Sequence, residues 1–301
     1  MAILTKSFLS KTKRLATLHP MADLPPVVSA PAQAMLLAAG RGERMRPLTD
    51  TTPKPLLKVH QKPLLWYPLK SLAAGGVDRV LINTAWLGAQ IPAYFGDAFS
   101  APALPPVLLQ YSEEGQDFGG ALETAGGIVR ALPHLADVFW VAAGDVYAPE
   151  FEFSLRAFEH FKTSPALAHI WLVPNPAHNP GGDFGLSSEG LALNAPKFVG
   201  VAGQAAVDSP ALQALGPHPA PHVAHPPRYT FSTIALYKRA FFEADWCPIP
   251  AGNPEGVKAP LAAMLRAAMD QGLVSASLYE GLWVDVGTPE RLAELNKLPS
   301  A

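Results

Sequence analysis

"MLLAAGRGERMRPLTDTTPKPLL", Met35 to Leu57, joins a short apolar run to a turn holding two glycines and three arginines, then sets Lys54 between Pro53 and Pro55. The apolar run reads as a buried strand. Gly40 and Gly42 let the chain turn sharply behind it, so that backbone N–H groups converge on one point, which makes an anion site. The Gly-Lys-Ser/Thr ending of a Walker loop is missing, because Met45 and Arg46 occupy that vicinity. A dinucleotide fingerprint is also incomplete: Met45 stands at its third glycine, and the next strand ends in Asn83-Thr84 rather than in an acid. The cationic company of the turn is its distinguishing feature: Arg41, Arg44, Arg46 and Lys54. Flanking prolines restrict Lys54 to extended backbone, so it should project from a stiffened segment. A chain of phosphates is the natural partner.

Outward from this stretch, apolar runs alternate with helical segments, which predicts an α/β fold with a Rossmann-like, mostly parallel mixed sheet flanked by helices in a single compact domain. "RVLINTA", "PVLLQYS" and "DVFWVAAGD" read as further strands, and "PLLWYPLKSLAAGG", "LGAQIPAYFG" and "LETAGGIVRALPHL" as the helices between them. In the second half "LAHIWLVPN", "LALN", "KFVGVAG", "TFSTIALY" and "LWVDVGT" read as strands and "VKAPLAAMLRAAMDQG" as a helix. Ligands of such sheets bind outside the carboxyl ends of the strands. The domain is expected over 34–298. Residues 1–33 are expected to be a disordered or mis-assigned extension, because lysines interrupt any apolar run that a signal peptide would need. The Pro/His-rich stretch at about 203–228 is expected to be a surface loop.

Composition excludes several classes. A net charge of -2 with 16% charged residues supplies no broad cationic field, so nucleic acid is not an expected partner. No run reaches the ~18–20 apolar residues of a membrane helix, and the single cysteine, Cys247, rules out an intrachain disulfide. A cytoplasmic protein, a monomer or weak dimer, is expected.

"LAAGRGERMRPLTDTTPKPLL" closely resembles the signature of the sugar-1-phosphate nucleotidyltransferases. "LETAGGI" is similar to their second nucleotide-contacting segment, "AAGDV" to the strand end whose aspartate ligates magnesium, and "WVDVGTPERL" to the segment with the second aspartate. The resemblance, covering about Ala34 to Leu295, implies catalytic roles for Arg44 and Lys54 and a Mg²⁺ ion on Asp145 and Asp285. It also implies nucleotide contacts from Leu37, Ala39, Gly40, Gly42, Asn83, Glu113, Thr124 and Gly126. Sugar contacts are implied for Trp86, Gly144, Asp183, Tyr229 and Lys258, with Asn175 a weaker candidate. "INTAWLGAQI", "YSEEG", "NPAHNPGGDFGL" and "YTFSTIALY" are similar to the compact branch that uses UTP and N-acetylmuramic acid 1-phosphate, although Thr233 stands where that branch often has glycine. Transfer of another nucleotide to glucose or mannose 1-phosphate stays open at this point, as does a non-catalytic sensor.

The residues themselves suit the implied reaction. Two polyanions repel each other before they meet, so a catalyst must cancel charge and align the attack. An already ionised phosphate needs no general base, and no side-chain nucleophile is required.

Overall fold

A computed structural model of the protein describes residues 32–194 and 227–299. The expected N-terminal extension up to residue 31, the strand "KFVGVAG" and most of the Pro/His-rich stretch lie outside the described residues.

The first strand, β1 (Ala32–Ala38), begins two residues before the expected domain start. Its side chains alternate: Ala34, Leu36 and Ala38 enter one core cluster, while Met35 enters another. A strand covered on both faces needs apolar residues at every position, which is why "AMLLA" is a continuous run. Behind it come α1 (Trp66–Ala74), β2 (Arg79–Thr84), α2 (Gln90–Phe95), β3 (Val107–Glu113), α3 (Glu123–Ala131) and β4 (Leu135–Ala143). The helices dock through apolar stripes at helical spacing. Leu65, Leu69, Leu72 and Ala73 lie in one cluster, and Ala125, Ile128, Val129 and Leu132 in the other.

β1 pairs in parallel with both β2 and β4, and β2 in parallel with β3. The order β3-β2-β1-β4 is that of a doubly wound sheet. The chain reverses its direction of growth between β1 and β4, and Leu37 and Ala143 are register partners at this switch point. The second half adds α4 (Leu155–Thr163), β5 (Ala168–Val173), β6 (Arg228–Lys238), α5 (Leu261–Met269) and β7 (Val274–Leu278). β6 runs antiparallel to β4 and β5, and β7 runs parallel to β5, which makes the ten-stranded sheet mixed.

Several elements differ from the sequence reading. α4 and β7 are regular elements that were read as neither helix nor strand, and α4 buries only Phe161 along its length, so its pattern is weak. The expected late strand "LWVDVGT" shrinks to Val284–Asp285, which pairs with Val146–Tyr147 away from the main sheet. Lys54 is not extended: Pro53 is (φ -63°, ψ 141°), and Lys54 opens a 3-10 turn, Lys54–Leu56, closed by Leu57 N–H donating to the Lys54 carbonyl at 3.0 Å. Among the described residues no helix is long and apolar enough to cross a membrane.

Candidate active site

A cavity of about 550 Å³ lies at the switch point, lined by Leu37, Ala39 and Gly40 at the end of β1 and by Ala143 and Asp145 at the end of β4. Asn83, Glu123, Thr124 and Asp183 line it as well. Its inner wall comes from β6 and α5 through Phe231, Thr233, Ala235, Tyr237, Leu265 and Arg266.

The glycine turn is fixed by its own side chains. Gly42 has φ +65°, and a Cβ there would lie 3.1 Å from Thr49 and 3.2 Å from the Lys54 stem, so glycine is required both by conformation and by the close approach of Lys54. Buried Thr49 holds the loop: its hydroxyl donates to the Gly42 carbonyl, and its own carbonyl accepts from Arg41 Nη1 (3.1 Å) and Trp86 Nε1 (2.8 Å). The Arg41 guanidinium lies 3.6 Å above the Trp86 ring. Arg46 is committed to Asp50 at 2.8 Å. Two of the three arginines thus fold the loop. Arg44 is exposed and, among the described residues, makes no ion pair; its Nη2 lies 3.5 Å from where a Cβ on Gly287 would sit.

Lys54 is 9% exposed and donates to Asp145 Oδ2 at 2.5 Å. Asp285 lies on the adjoining strand, where Val286 N–H donates to the Asp145 carbonyl at 3.1 Å. The Asp285 carboxylate is met by Arg291 Nη1 at 2.6 Å and by His178 Nε2 at 3.1 Å. Each carboxylate therefore holds a cation from the chain. Among the described residues no three His, Cys, Asp or Glu side chains gather as a metal cage. Two carboxylates on neighbouring strands fit a hard ion that keeps water and substrate oxygens as its other ligands, which is the habit of Mg²⁺ and not of a structural metal.

Of the residues named from the sequence, Leu37, Ala39, Gly40, Asn83, Thr124, Asp145 and Asp183 line the cavity. Lys54 is joined to it through Asp145. The others lie outside the lining. Glu113 is exposed; its neighbour Glu114 is the buried carboxylate, accepting from Asn83 Nδ2 at 2.7 Å and Leu122 N–H at 2.8 Å, and burial pushes its pKa up. Gly126 packs on the segment Val257–Ala259, where a Cβ would meet the Val257 carbonyl at 2.5 Å, and Gly144 packs on Leu65 and the Leu37 carbonyl. Trp86 serves the loop as described. Tyr229 packs against the core and pairs with Phe184, whereas Lys258 is exposed. Asn175 binds the Arg228 carbonyl and the Thr230 hydroxyl, tying a turn to β6. The Asp183 carboxylate accepts from Phe231 N–H at 2.8 Å and so shapes the wall as well as facing the cavity.

Sequence reasoning missed Glu123, Tyr237 and Arg266. "LAAMLRAAM" reads as an ordinary amphipathic helix, and Arg266 joins the cavity lining only once α5 packs against α3 and β7. Cys247 lies outside the lining, and burial raises its thiol pKa, which suits a packing role.

A Rossmann-like sheet with a glycine turn, a caged lysine and adjoining aspartates at its switch point defines a nucleotide-handling class, and the chain belongs to the nucleotidyl transferase family, whose model matches residues 33–197. Within that class it is similar to N-acetylmuramate alpha-1-phosphate uridylyltransferase of Neisseria meningitidis, 40% identical over 272 residues that cover 89% of this chain and 99% of the relative. The Caulobacter vibrioides protein of the same name is 30% identical over 90% of this chain and 99% of its own. In fold it matches the crystal structure of HddC from Yersinia pseudotuberculosis with a TM-score of 0.59, at 15% identity, covering 88% of this chain and 98% of that one.

Proposed function

We propose that the chain transfers the uridylyl group of UTP to N-acetylmuramic acid 1-phosphate, giving UDP-N-acetylmuramic acid and pyrophosphate, as a cytoplasmic step of cell-wall recycling. The observation that carries this reading is the Lys54–Asp145 pair beside Asp285 at the mouth of the switch-point cavity. Two relatives named for that activity, each matched over 99% of its own length, support the choice of substrates.

An oxygen of the sugar phosphate forms the new bond to the α-phosphorus of UTP as the bond to the pyrophosphate oxygen breaks. The attacking oxygen is ionised at neutral pH, so the site has no proton to remove. Gly40 and the turn behind it offer backbone N–H groups to the phosphates. Lys54, already immobilised, exchanges Asp145 for phosphate oxygens, and Arg44, which pairs with no carboxylate among the described residues, takes the leaving pyrophosphate. A magnesium ion held by Asp145 and Asp285 would supply charge neutralisation across the phosphates.

The test is an activity matrix of UTP, dTTP, CTP and GTP against N-acetylmuramic, N-acetylglucosamine and glucose 1-phosphates. UTP with N-acetylmuramic acid 1-phosphate should give the highest kcat/KM. A different best pair keeps a nucleotidyltransferase and removes this substrate assignment.

A further inference from the structure

Each aspartate of the site is met by a cation of the chain, and the two cations are held differently. Among the described residues the Lys54 ammonium meets only the Asp145 carboxylate. Arg291 meets Asp285 twice: Nη1 donates to Oδ2 at 2.6 Å and to the Asp285 carbonyl at 3.2 Å, so the guanidinium ties the side chain to its own backbone. Glycine at 287 leaves room for this, since a Cβ there would lie 3.0 Å from Arg291 Nη1 and 3.4 Å from Asp285 Oδ2.

The arginine is itself fixed from behind. It lies in the first turn of a short helix, α6 (Pro289–Leu295), where the N-cap Thr288 hydroxyl accepts from Arg291 N–H at 3.4 Å. At the other end of α6 the Asn296 side chain donates to the Lys58 carbonyl and accepts from His60 N–H. Leu295 is buried in a third apolar cluster with Met45, Leu57, Tyr147 and Val286, which are near neighbours in sequence of Arg44, Lys54, Asp145 and Asp285. The helix that carries Arg291 is therefore packed on the segments that carry the site.

A carboxylate has about four lone-pair sites on its two oxygens, so a donor on Oδ2 takes up only part of its capacity. What that donor adds is a fixed orientation, which a ligand of a metal ion needs. We propose that Arg291 is a positioning residue that holds the Asp285 carboxylate in the orientation a divalent cation requires. This rests on the reading above, in which Asp145 and Asp285 hold that ion. Because the Asp285 carbonyl also holds the guanidinium, Arg291 keeps its place when the carboxylate takes a second partner.

The experiment titrates Mn²⁺, a paramagnetic substitute for Mg²⁺, into the wild type, Arg291→Met, Arg291→Lys and Asp285→Asn, and reads the free ion by electron paramagnetic resonance. Arg291→Met should weaken Mn²⁺ binding by about 10- to 100-fold, the usual loss when the partner of a metal ligand is removed. Losing a positive charge would by itself strengthen the hold on a cation, so a weakening separates positioning from simple electrostatics. Arg291→Lys should recover part of the loss, because an ammonium brings the charge without the planar fork. Turnover of Arg291→Met should fall at limiting Mg²⁺ and return as Mg²⁺ is raised, a recovery that a disrupted fold would not show. Mn²⁺ affinity that is unchanged or tighter in Arg291→Met overturns the proposal. If Arg291→Met does not fold, Arg291→Lys carries the test, and an affinity equal to that of the wild type then overturns it. No Mn²⁺ uptake by the wild type, or undiminished uptake by Asp285→Asn, defeats the metal reading and the positioning role together. Weakened binding in Asp285→Asn beside unaffected binding in Arg291→Met defeats the positioning role alone.

Discussion

Lys54 shows how one side chain is immobilised from several directions. The Lys54–Leu56 turn fixes its backbone, Gly42 makes room for its stem, and Asp145 fixes its ammonium. Lys54→Met should therefore lose about 10² to 10³ in kcat/KM, as for one preorganised donor removed from a developing charge. Discrimination among nucleobases should persist, because the defect lies on the phosphate chain; single-turnover kinetics with UTP and the other triphosphates check this. Thr233 is the opposite case, a residue the fold tolerates against its own preference. It has φ +61° within a register shift of β6 between Phe231 and Ala235, and its hydroxyl turns back to the Ser232 carbonyl at 2.6 Å. The left-handed conformation costs an L-residue about 1–2 kcal/mol, against about 0.5–1 kcal/mol for the extra chain entropy of glycine. Thr233→Gly should thus stabilise by up to about 1 kcal/mol, read as a higher urea midpoint at unchanged m-value. A lower midpoint would show that the hydroxyl contact outweighs the strain.

At the scale of elements, the cavity wall at the ends of β1 and β2 is held by one buried chain of hydrogen bonds. Ala38 N–H donates to Asn83 Oδ1, Asn83 Nδ2 donates to Glu114, and Glu114 also accepts from Leu122 N–H, which ties the ends of β1, β2 and β3 to the start of α3. Gly127 lets α3 close on this pair, since a Cβ there would lie 2.5 Å from Glu114 Oε1. Desolvation raises the Glu114 pKa more than its hydrogen bonds lower it. The folded state therefore binds this proton more tightly than the unfolded chain does. Its contribution to stability is full at low pH and is lost as pH rises from the ordinary carboxylate range through the raised value. The difference in unfolding free energy between wild type and Glu114→Gln, followed by urea titration at a series of pH values, should fall across that window. A flat difference would mean that the hydrogen bonds offset the burial. The variant should also be less stable throughout, because the two donors meet separate oxygens of Glu114 and the amide would set an N–H₂ group against one of them.

The ten-stranded sheet separates two hydrophobic clusters over the described domain, one under α3 and α5 and the other under α1. Ile128 on α3 and Ile82 on β2 belong to different clusters and are both fully buried. Ile128→Val and Ile82→Val should each cost about 0.5–1.5 kcal/mol, and together they should add within about 0.5 kcal/mol. Because one sheet carries both faces, unfolding followed by fluorescence and by circular dichroism should coincide in each variant. Separated transitions would show that the two faces unfold as independent units.

Local chemistry determined much of this protein. "AMLLA", "RVLIN" and "FWVAA" are apolar at successive positions because both faces of a central strand are covered, and each helix stripe in the first half follows from its 3.6-residue period. The glycine turn and Lys54 were legible because backbone freedom and positive charge lie close together in one short stretch of sequence. Tertiary structure decided what depends on pairing between distant segments. Only the antiparallel pair Val146–Tyr147 with Val284–Asp285 sets Asp285 beside Asp145. Only the folded loop assigns Arg41 and Arg46 to structure and leaves Arg44 with no ion pair among the described residues. A buried carboxylate and an exposed one stand next to each other at Glu113 and Glu114, and alternation across a strand end, not composition, chose which faces Asn83. Arg266 had no local signal at all, because it reaches the cavity lining only once α5 packs against α3 and β7. That packing joins side chains far apart in the sequence, which no short stretch of residues encodes.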